Sequence, residues 1–311
     1  MLRISTASWY VGQVNHMARL QGESSQLQTS IATGKRMISA ADDPVASARA
    51  DRFARLEADS ANWKANGDVA SRRLESSSDA LSAMASDITR IRELALVAAN
   101  DTQTPADRHI VAAEIEQLTD GLLSLANRRD SDGRYVFAGA ASGQPAYARD
   151  GGGSIVWQGS GTAPLAPIGA DRTVSVGDRG DVLFAADDGT SLFAAAEELI
   201  AVLRATPSDQ AETDSARADR KLGMGTALDR LDSLQSNLSE ASATQGARLQ
   251  QLDATTERLD IDILEASIAR GALEDTDITR AIVDLERTLT LLQAAQAGFT
   301  RISGLSLFER L

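Results

Sequence analysis

The sequence predicts a mainly α protein with a β-rich insertion. A long antiparallel coiled-coil or helical-bundle rod is formed by the N- and C-terminal segments, and it carries a small outer β domain. Three observations predict this class. From residue 44 to about 100, Phe53, Leu56, Ser60, Trp63, Gly67, Ala70, Leu74, Ser77, Leu81, Met84, Ile88, Ile91, Ala95 and Ala98 keep one unbroken heptad register. The register returns in Met224, Leu228, Leu231, Gln235, Leu238, Ser242, Gln245, Leu249, Leu252, Thr256, Leu259, Ile263 and Ala266. Between these segments, from 130 to about 188, glycine becomes frequent and helical periodicity is lost.

In chain order, residues 5–33 read as a first helix with Met17, Leu20, Ser24, Leu27 and Ile31 on one face. Gly34 offers the left-handed position that commonly ends a helix. After a short connector, Asp43 is placed to cap the long helix and Pro44 suits its first turn. That helix would reach roughly 80 Å at 1.5 Å per residue. Its seam is rich in Leu, Met and Ile from Leu74 onward and thin at Ser60, Gly67 and Ala70. Thr104, with Asp107 three residues on, opens a third helix carrying Val111, Ile115, Leu118, Leu122 and Leu125. The short break before it predicts an antiparallel return.

In the insertion, the sequence predicts strands at 135–137, 155–157, 173–176 and 182–184, with a turn or mobile tip at 150–153. A helix over 191–204 packs with them, and Thr206-Pro207-Ser208-Asp209 is expected to open the next helix. The returning heptad helix is the expected partner of the first. After an interruption at 274–277, a last helix carries Ile278, Ile282, Leu285, Leu289, Leu292, Gln296 and Phe299. The expected division is therefore 1–43 with 268–311 as a terminal-helix inner domain, 44–129 with 205–267 as the helical rod, and 130–204 as the outer domain.

Composition narrows the function classes. The chain has 311 residues, 43% of them hydrophobic but only 4% aromatic, and a net charge of −13. An acidic chain does not suit nucleic acid, which needs a basic face to displace counterions. With no cysteine, disulfides, thiolate metal sites and cysteine nucleophiles are excluded. The N-terminus lacks the apolar core of a cleaved secretory signal, and no apolar run nears the roughly 20 residues that span a bilayer.

The chemistry-bearing residues form no constellation. His16 and His109 are far apart, so a zinc site, which needs clustered ligands, is not expected. Asp130-Ser131-Asp132-Gly133 lacks the later ligands of a calcium loop and reads as a turn. No pair of carboxylates is singled out for glycosidase chemistry, and no phosphate-loop or nucleophile-elbow motif occurs. No catalytic residue, metal or cofactor is expected, and an enzyme is not the reading. Trp9, Trp63 and Trp157 read as packing anchors. Stacking by Trp157, Tyr135 and Tyr147 on a polysaccharide is an alternative for a cell-surface protein.

Two motifs carry a resemblance. Ile31-Ala32-Thr33-Gly34-Lys35-Arg36-Met37-Ile38-Ser39-Ala40-Ala41-Asp42-Asp43-Pro44 is similar to the N-terminal signature of the flagellin superfamily, with Thr33 where Ser is usual. Leu273-Glu274-Asp275-Thr276-Asp277-Ile278 matches its C-terminal counterpart. Within the superfamily, Gly133-Arg134-Tyr135-Val136-Phe137-Ala138-Gly139 and the ending Leu305-Ser306-Leu307-Phe308-Glu309-Arg310-Leu311 resemble the hook–filament junction branch, with Arg310 replacing an aromatic.

The resemblance implies a structural subunit of the bacterial flagellum that joins hook to filament. It implies an extracellular location, reached through the flagellar type III export apparatus without a cleaved signal peptide. The implied partners are another hook-associated protein on the hook side, flagellin on the filament side, further copies of the chain in a ring or helical layer, and a cytoplasmic export chaperone. Nucleic acid and membrane insertion are not among them. The implied assembly interface comprises Met17, Leu20, Leu27, Ile31, Ile278, Ile282, Leu285, Leu289, Leu292, Phe299, Leu305, Leu307, Phe308 and Leu311. The motif residues are Gly34, Lys35, Arg36, Asp42, Asp43, Pro44, Glu274, Asp275 and Asp277. A filament flagellin is the alternative within the superfamily.

Overall fold

A computed structural model describes residues 3–308, with side chains from 8 to 302. The chain is mainly α with a small strand region. Its elements are α1 (Arg3–Thr33), α2 (Pro44–Ala99), α3 (Pro105–Ala126), β1 (Tyr147–Arg149), β2 (Ile155–Trp157), β3 (Leu165–Gly169), β4 (Arg172–Ser175), α4 (Gly180–Leu183), α5 (Leu192–Arg204), α6 (Asp214–Glu274) and α7 (Ile278–Phe308). It divides into two compact units, Met1–Asp59 with Ile261–Leu311, and Ser60–Asp260.

The larger unit is a helical bundle with two hairpins packed on it. On α2 the expected seam is the buried face: Leu74, Leu81, Met84, Ile88, Ile91, Ala95 and Ala98 are all inaccessible to solvent. α6 runs antiparallel along that face. Lys64 pairs with Asp260, the Gln245 amide donates to Ser77 Oγ at 2.7 Å, and Arg92 meets Asp232 at 2.6 Å, so one partner's number falls as the other's rises. The thin seam positions have a steric role. A Cβ on Gly67 would stand 3.0 Å from the Thr256 methyl, so a small residue lets the two helices close up there.

α3 returns antiparallel to α2, with Arg90 on Glu114 and Arg128 on Ser76. Thr104 and Asp107 form the full capping box at its start. Its buried face is Arg108, Ala112, Ile115, Thr119, Leu122 and Ala126, which is rotated from the expected stripe; Val111, Leu118 and Leu125 lie at its margins. α3 is packed on two sides, by α2 and by α5, whose Arg204 meets Glu116 at 2.8 Å.

Two of the expected strands form and two do not. β1 pairs antiparallel with β2, Tyr147 opposite Trp157, across a turn in which Asp150 Oδ1 accepts from Gly152 and Ser154 N–H. β3 pairs with β4 through an irregular register near Pro167. Val136 and Phe137 are buried and Tyr135 is half-buried, but this stretch and its neighbour Ala138 make only isolated bridges, Arg129 with Tyr135 and Ala138 with Arg179. Residues 182–184 close the short helix α4 instead of forming a strand. Buried apolar runs of three residues pack equally well in either form.

α6 begins at Asp214 rather than just after Thr206, with Thr213 Oγ1 accepting from Ala216 N–H. The intervening strap is held by Glu212. Its carboxylate meets Arg220 at 2.8 Å and Arg108 at 3.2 Å, and both arginines are almost fully buried.

The aromatic residues form a core between the hairpins and α5. Tyr147 lies 4.8 Å from Phe193 and 5.2 Å from Trp157, and its hydroxyl donates to the Gly180 carbonyl at 2.9 Å. A Cβ on Gly159 or Gly180 would collide with the Trp157 ring. Burial pushes the Tyr147 phenol up from its ordinary range. Tyr147 and Trp157 are thus packed against each other, and Tyr135 stands under the Arg129 guanidinium at 4.5 Å.

Candidate assembly interface

The smaller unit brings the two sequence motifs together. α1 ends at Gly34, whose φ of +71° is the left-handed conformation expected there. The chain then forms a single antiparallel bridge, Lys35 opposite Asp275. Arg36 N–H donates to the Glu274 carbonyl at 2.6 Å, and Thr276 N–H donates to the Gly34 carbonyl at 2.8 Å. The motif charges close around this bridge. Lys35 Nζ lies 2.9 Å from Glu274 Oε2, and the Arg36 guanidinium donates to the Leu273 carbonyl at 3.0 Å and faces Asp43 at 3.6 Å.

The acidic motif residues are backbone acceptors. Asp42 Oδ2 accepts from Ile38 and Ser39 N–H, fixing the connector, and Asp43 Oδ1 accepts from Ala46 N–H at the start of α2. Pro44 occupies the first helical position, and Asp277 caps α7 by accepting from Arg280 N–H at 3.1 Å. Sequence reasoning missed one further tie: Arg270 pairs with Glu57 at 3.0 Å and reaches Glu274 at 3.9 Å. Opposite charges at mirrored positions of the two heptad helices were the available signal.

From this clasp α1 and α7 run antiparallel, and at their far end Tyr10 lies edge-on to Phe299 at 5.4 Å. Leu20 is buried between them, and Met17, Leu27, Ile31, Leu285, Leu292 and Phe299 are half-buried. Ile278, Ile282 and Leu289 are exposed, as are Val283, Leu291 and Ile302. The face that α7 gives to α1 is Ala281, Leu285, Thr288, Leu292 and Phe299, so its larger aliphatic residues stand on both flanks of that stripe. α1 exposes only Val11 and Val14 among its large hydrophobic residues with described side chains. The side chains of Leu305, Leu307 and Phe308 lie outside the described set, and Leu311 lies outside the described residues.

Among the described residues no group of three or more His, Asp or Glu is placed to hold a metal ion. His16 accepts from Arg19 at 3.0 Å on the surface of α1, and His109 hydrogen-bonds the Thr206 carbonyl in the other unit. Among the described residues, no helix is long and apolar enough to cross a membrane.

Residues 4–142 match the bacterial flagellin N-terminal helical region, and this region contains the first motif and its half of the clasp. Over this region the chain resembles the flagellin family. Flagellar hook-associated protein 3 of Escherichia coli K12 is 28% identical over 99% of both chains, and its Salmonella typhimurium counterpart is 26% identical over the same shares. The solved flagellar junction protein FlgL from Legionella pneumophila has the same fold. It is 19% identical, covers 73% of this chain with all of its own length, and superposes with a TM-score of 0.60. These relatives are structural flagellar proteins rather than enzymes. Both comparisons liken the chain to hook-associated structural components of the flagellum.

Proposed function

We propose that the chain is the adaptor that joins the flagellar hook to the filament. The observation that carries this reading is the end-to-end likeness to hook-associated protein 3, which covers 99% of each chain. The division into inner domain (1–43 with 268–311), rod (44–129 with 205–267) and outer domain (130–204) belongs to the same reading. The clasp holds α1 against α7, and the uncovered aliphatic flanks of α7 then pack on neighbouring subunits in a ring or helical layer. One face of that layer meets another hook-associated protein and the other meets flagellin. The subunit leaves the cell through the flagellar type III apparatus with its N-terminus intact, escorted in the cytoplasm by a chaperone.

Electron microscopy of isolated hooks incubated with the protein tests this. A thin added zone that stops growing by itself, and that lets flagellin extend a filament, is the expected result. Growth without limit in the absence of flagellin would make the chain a filament subunit instead. Bare hooks would remove both roles.

A further inference from the structure

Two surfaces of the smaller unit have no partner among the described residues. The first is a groove of about 480 Å³ between α2 and α6. Phe53, Leu56, Ala269 and Leu273 give it an apolar lining, and Arg49 and Arg52 add positive charge. Leu56 is 46% exposed although it sits at a heptad seam position. Both arginines are exposed, and neither has an ion-pair partner among the described residues.

The second surface is on the other side of α6. Ile261, Leu264 and Ile268 are 52%, 60% and 63% exposed and form one stripe at helical spacing. Leu264 and Ile268 each stand two residues from buried Ala266, which places them about 200° around the helix from it. Asp262 and Glu265 lie in the same stretch, exposed and without an ion-pair partner among the described residues.

We infer that the Ile261–Leu264–Ile268 stripe of one copy docks in the Phe53–Leu56–Leu273 groove of a second copy, with Asp262 and Glu265 against Arg49 and Arg52. The inference rests on the assembly reading above and gives it a specific contact between copies. An apolar stripe carrying unpaired acids and an apolar groove carrying unpaired arginines are complementary in both shape class and charge. The two faces differ, so the contact is heterologous: each copy offers its groove to one neighbour and its stripe to another. Such a contact propagates and either closes as a ring or continues as a helix. A nucleic acid or anionic membrane would be drawn to the groove and repelled by the stripe, leaving the stripe uncovered.

The test exploits the absence of native cysteine. A chain carrying both Leu56→Cys and Leu264→Cys, bound to isolated hooks and oxidised, should give a ladder of disulfide-linked dimers, trimers and higher species. A mixture of the two single variants should stop at dimers, and each single variant alone should stay monomeric. In the double-cysteine chain, Arg49→Glu with Arg52→Glu should abolish the ladder, and adding Asp262→Lys with Glu265→Lys should restore it. Hooks decorated by the double-cysteine chain without a ladder would overturn the docking and leave the junction role intact. Should the unsubstituted protein fail to decorate hooks, the junction role fails. The same cysteine chain oxidised in concentrated solution then decides the docking, a ladder supporting it and monomer alone overturning it.

Discussion

Lys35 and Glu274 stand 239 positions apart in the sequence and meet at 2.9 Å, one from each of the two motifs. Their pairing closes the turn between α1 and α2 onto the turn between α6 and α7. Because Lys35 is half exposed, the pair is worth only about 0.2–1 kcal/mol. K35E and E274K should each lower the denaturation midpoint slightly, and the swapped double variant should recover most of the loss. A double-mutant cycle measures the coupling, and strict additivity would show that the backbone bonds of Arg36 and Thr276 hold the clasp without it.

The α2 seam predicts a contrast between two leucines in one heptad register. Leu81 is fully buried in the bundle, whereas Leu56 opens onto a groove. L81A should destabilise the protein by about 2–5 kcal/mol. L56A should stay within about 0.5 kcal/mol of the parent. Urea titrations followed by circular dichroism separate the two, and equal losses would mean that the seam is covered along its whole length.

Glu212 predicts an acid response. Its carboxyl is held below its ordinary range by the hydrogen bond from Arg220, and Asp101 is held down by Lys221 and Arg220. Asp107 is held down by Thr104, and Asp188 falls to about 2 through the Thr190 N–H. The unfolded chain binds protons at these groups first. The stability they confer is therefore complete above their unfolded values, near pH 4 to 4.5, and is lost as pH falls toward about 2. Asp87, raised by burial, opposes this trend weakly. E212Q leaves Arg108 buried without a carboxylate and Arg220 with Asp101 alone, and should cost about 3 kcal/mol at neutral pH. Its midpoint should also decline less steeply in acid, which thermal melts across the range would detect.

The exposed flank of α7 predicts a separation of folding from assembly. Ile282 is 43% exposed, on a flank of the stripe that meets α1. I282D should leave the free protein's denaturation midpoint within about 0.5 kcal/mol of the parent while reducing its binding to isolated hooks at least tenfold, read by co-sedimentation. Unchanged binding would take this flank out of the assembly surface.

The sequence was most legible where one residue pattern had one structural solution. The heptads of α2 and α6, the left-handed Gly34 and the Thr104 box are of that kind, because spacing and backbone conformation restrict the choice locally. Legibility failed where the deciding partner is distant. Arg108 reads as a surface charge on an amphipathic helix, and it is buried only because Glu212 arrives from a strap more than a hundred residues later. Val136 and Phe137 read as a strand because they are apolar, but their burial comes from packing under neighbouring segments and no ladder forms. In the clasp, the motif residues were identifiable in advance, and the geometry adds Arg270 and Glu57. In α7 the apolar residues were identifiable too, but which of them α1 covers depends on the rotation of the helix, and that is set by the bridge at Lys35 and Asp275.

The same bridge has a consequence for synthesis. α1 emerges from the ribosome before the larger unit, and α7, the helix it pairs with, emerges only after it. At about 5–20 residues per second, α1 spends tens of seconds without its partner while the larger unit can already collapse around Leu81 and Ile88. For that interval the leading end of the nascent chain is a free, mostly polar helix-former, open to whatever cellular factor handles unfinished chains. Folding of the smaller unit must wait, by topology alone, until α7 has been made.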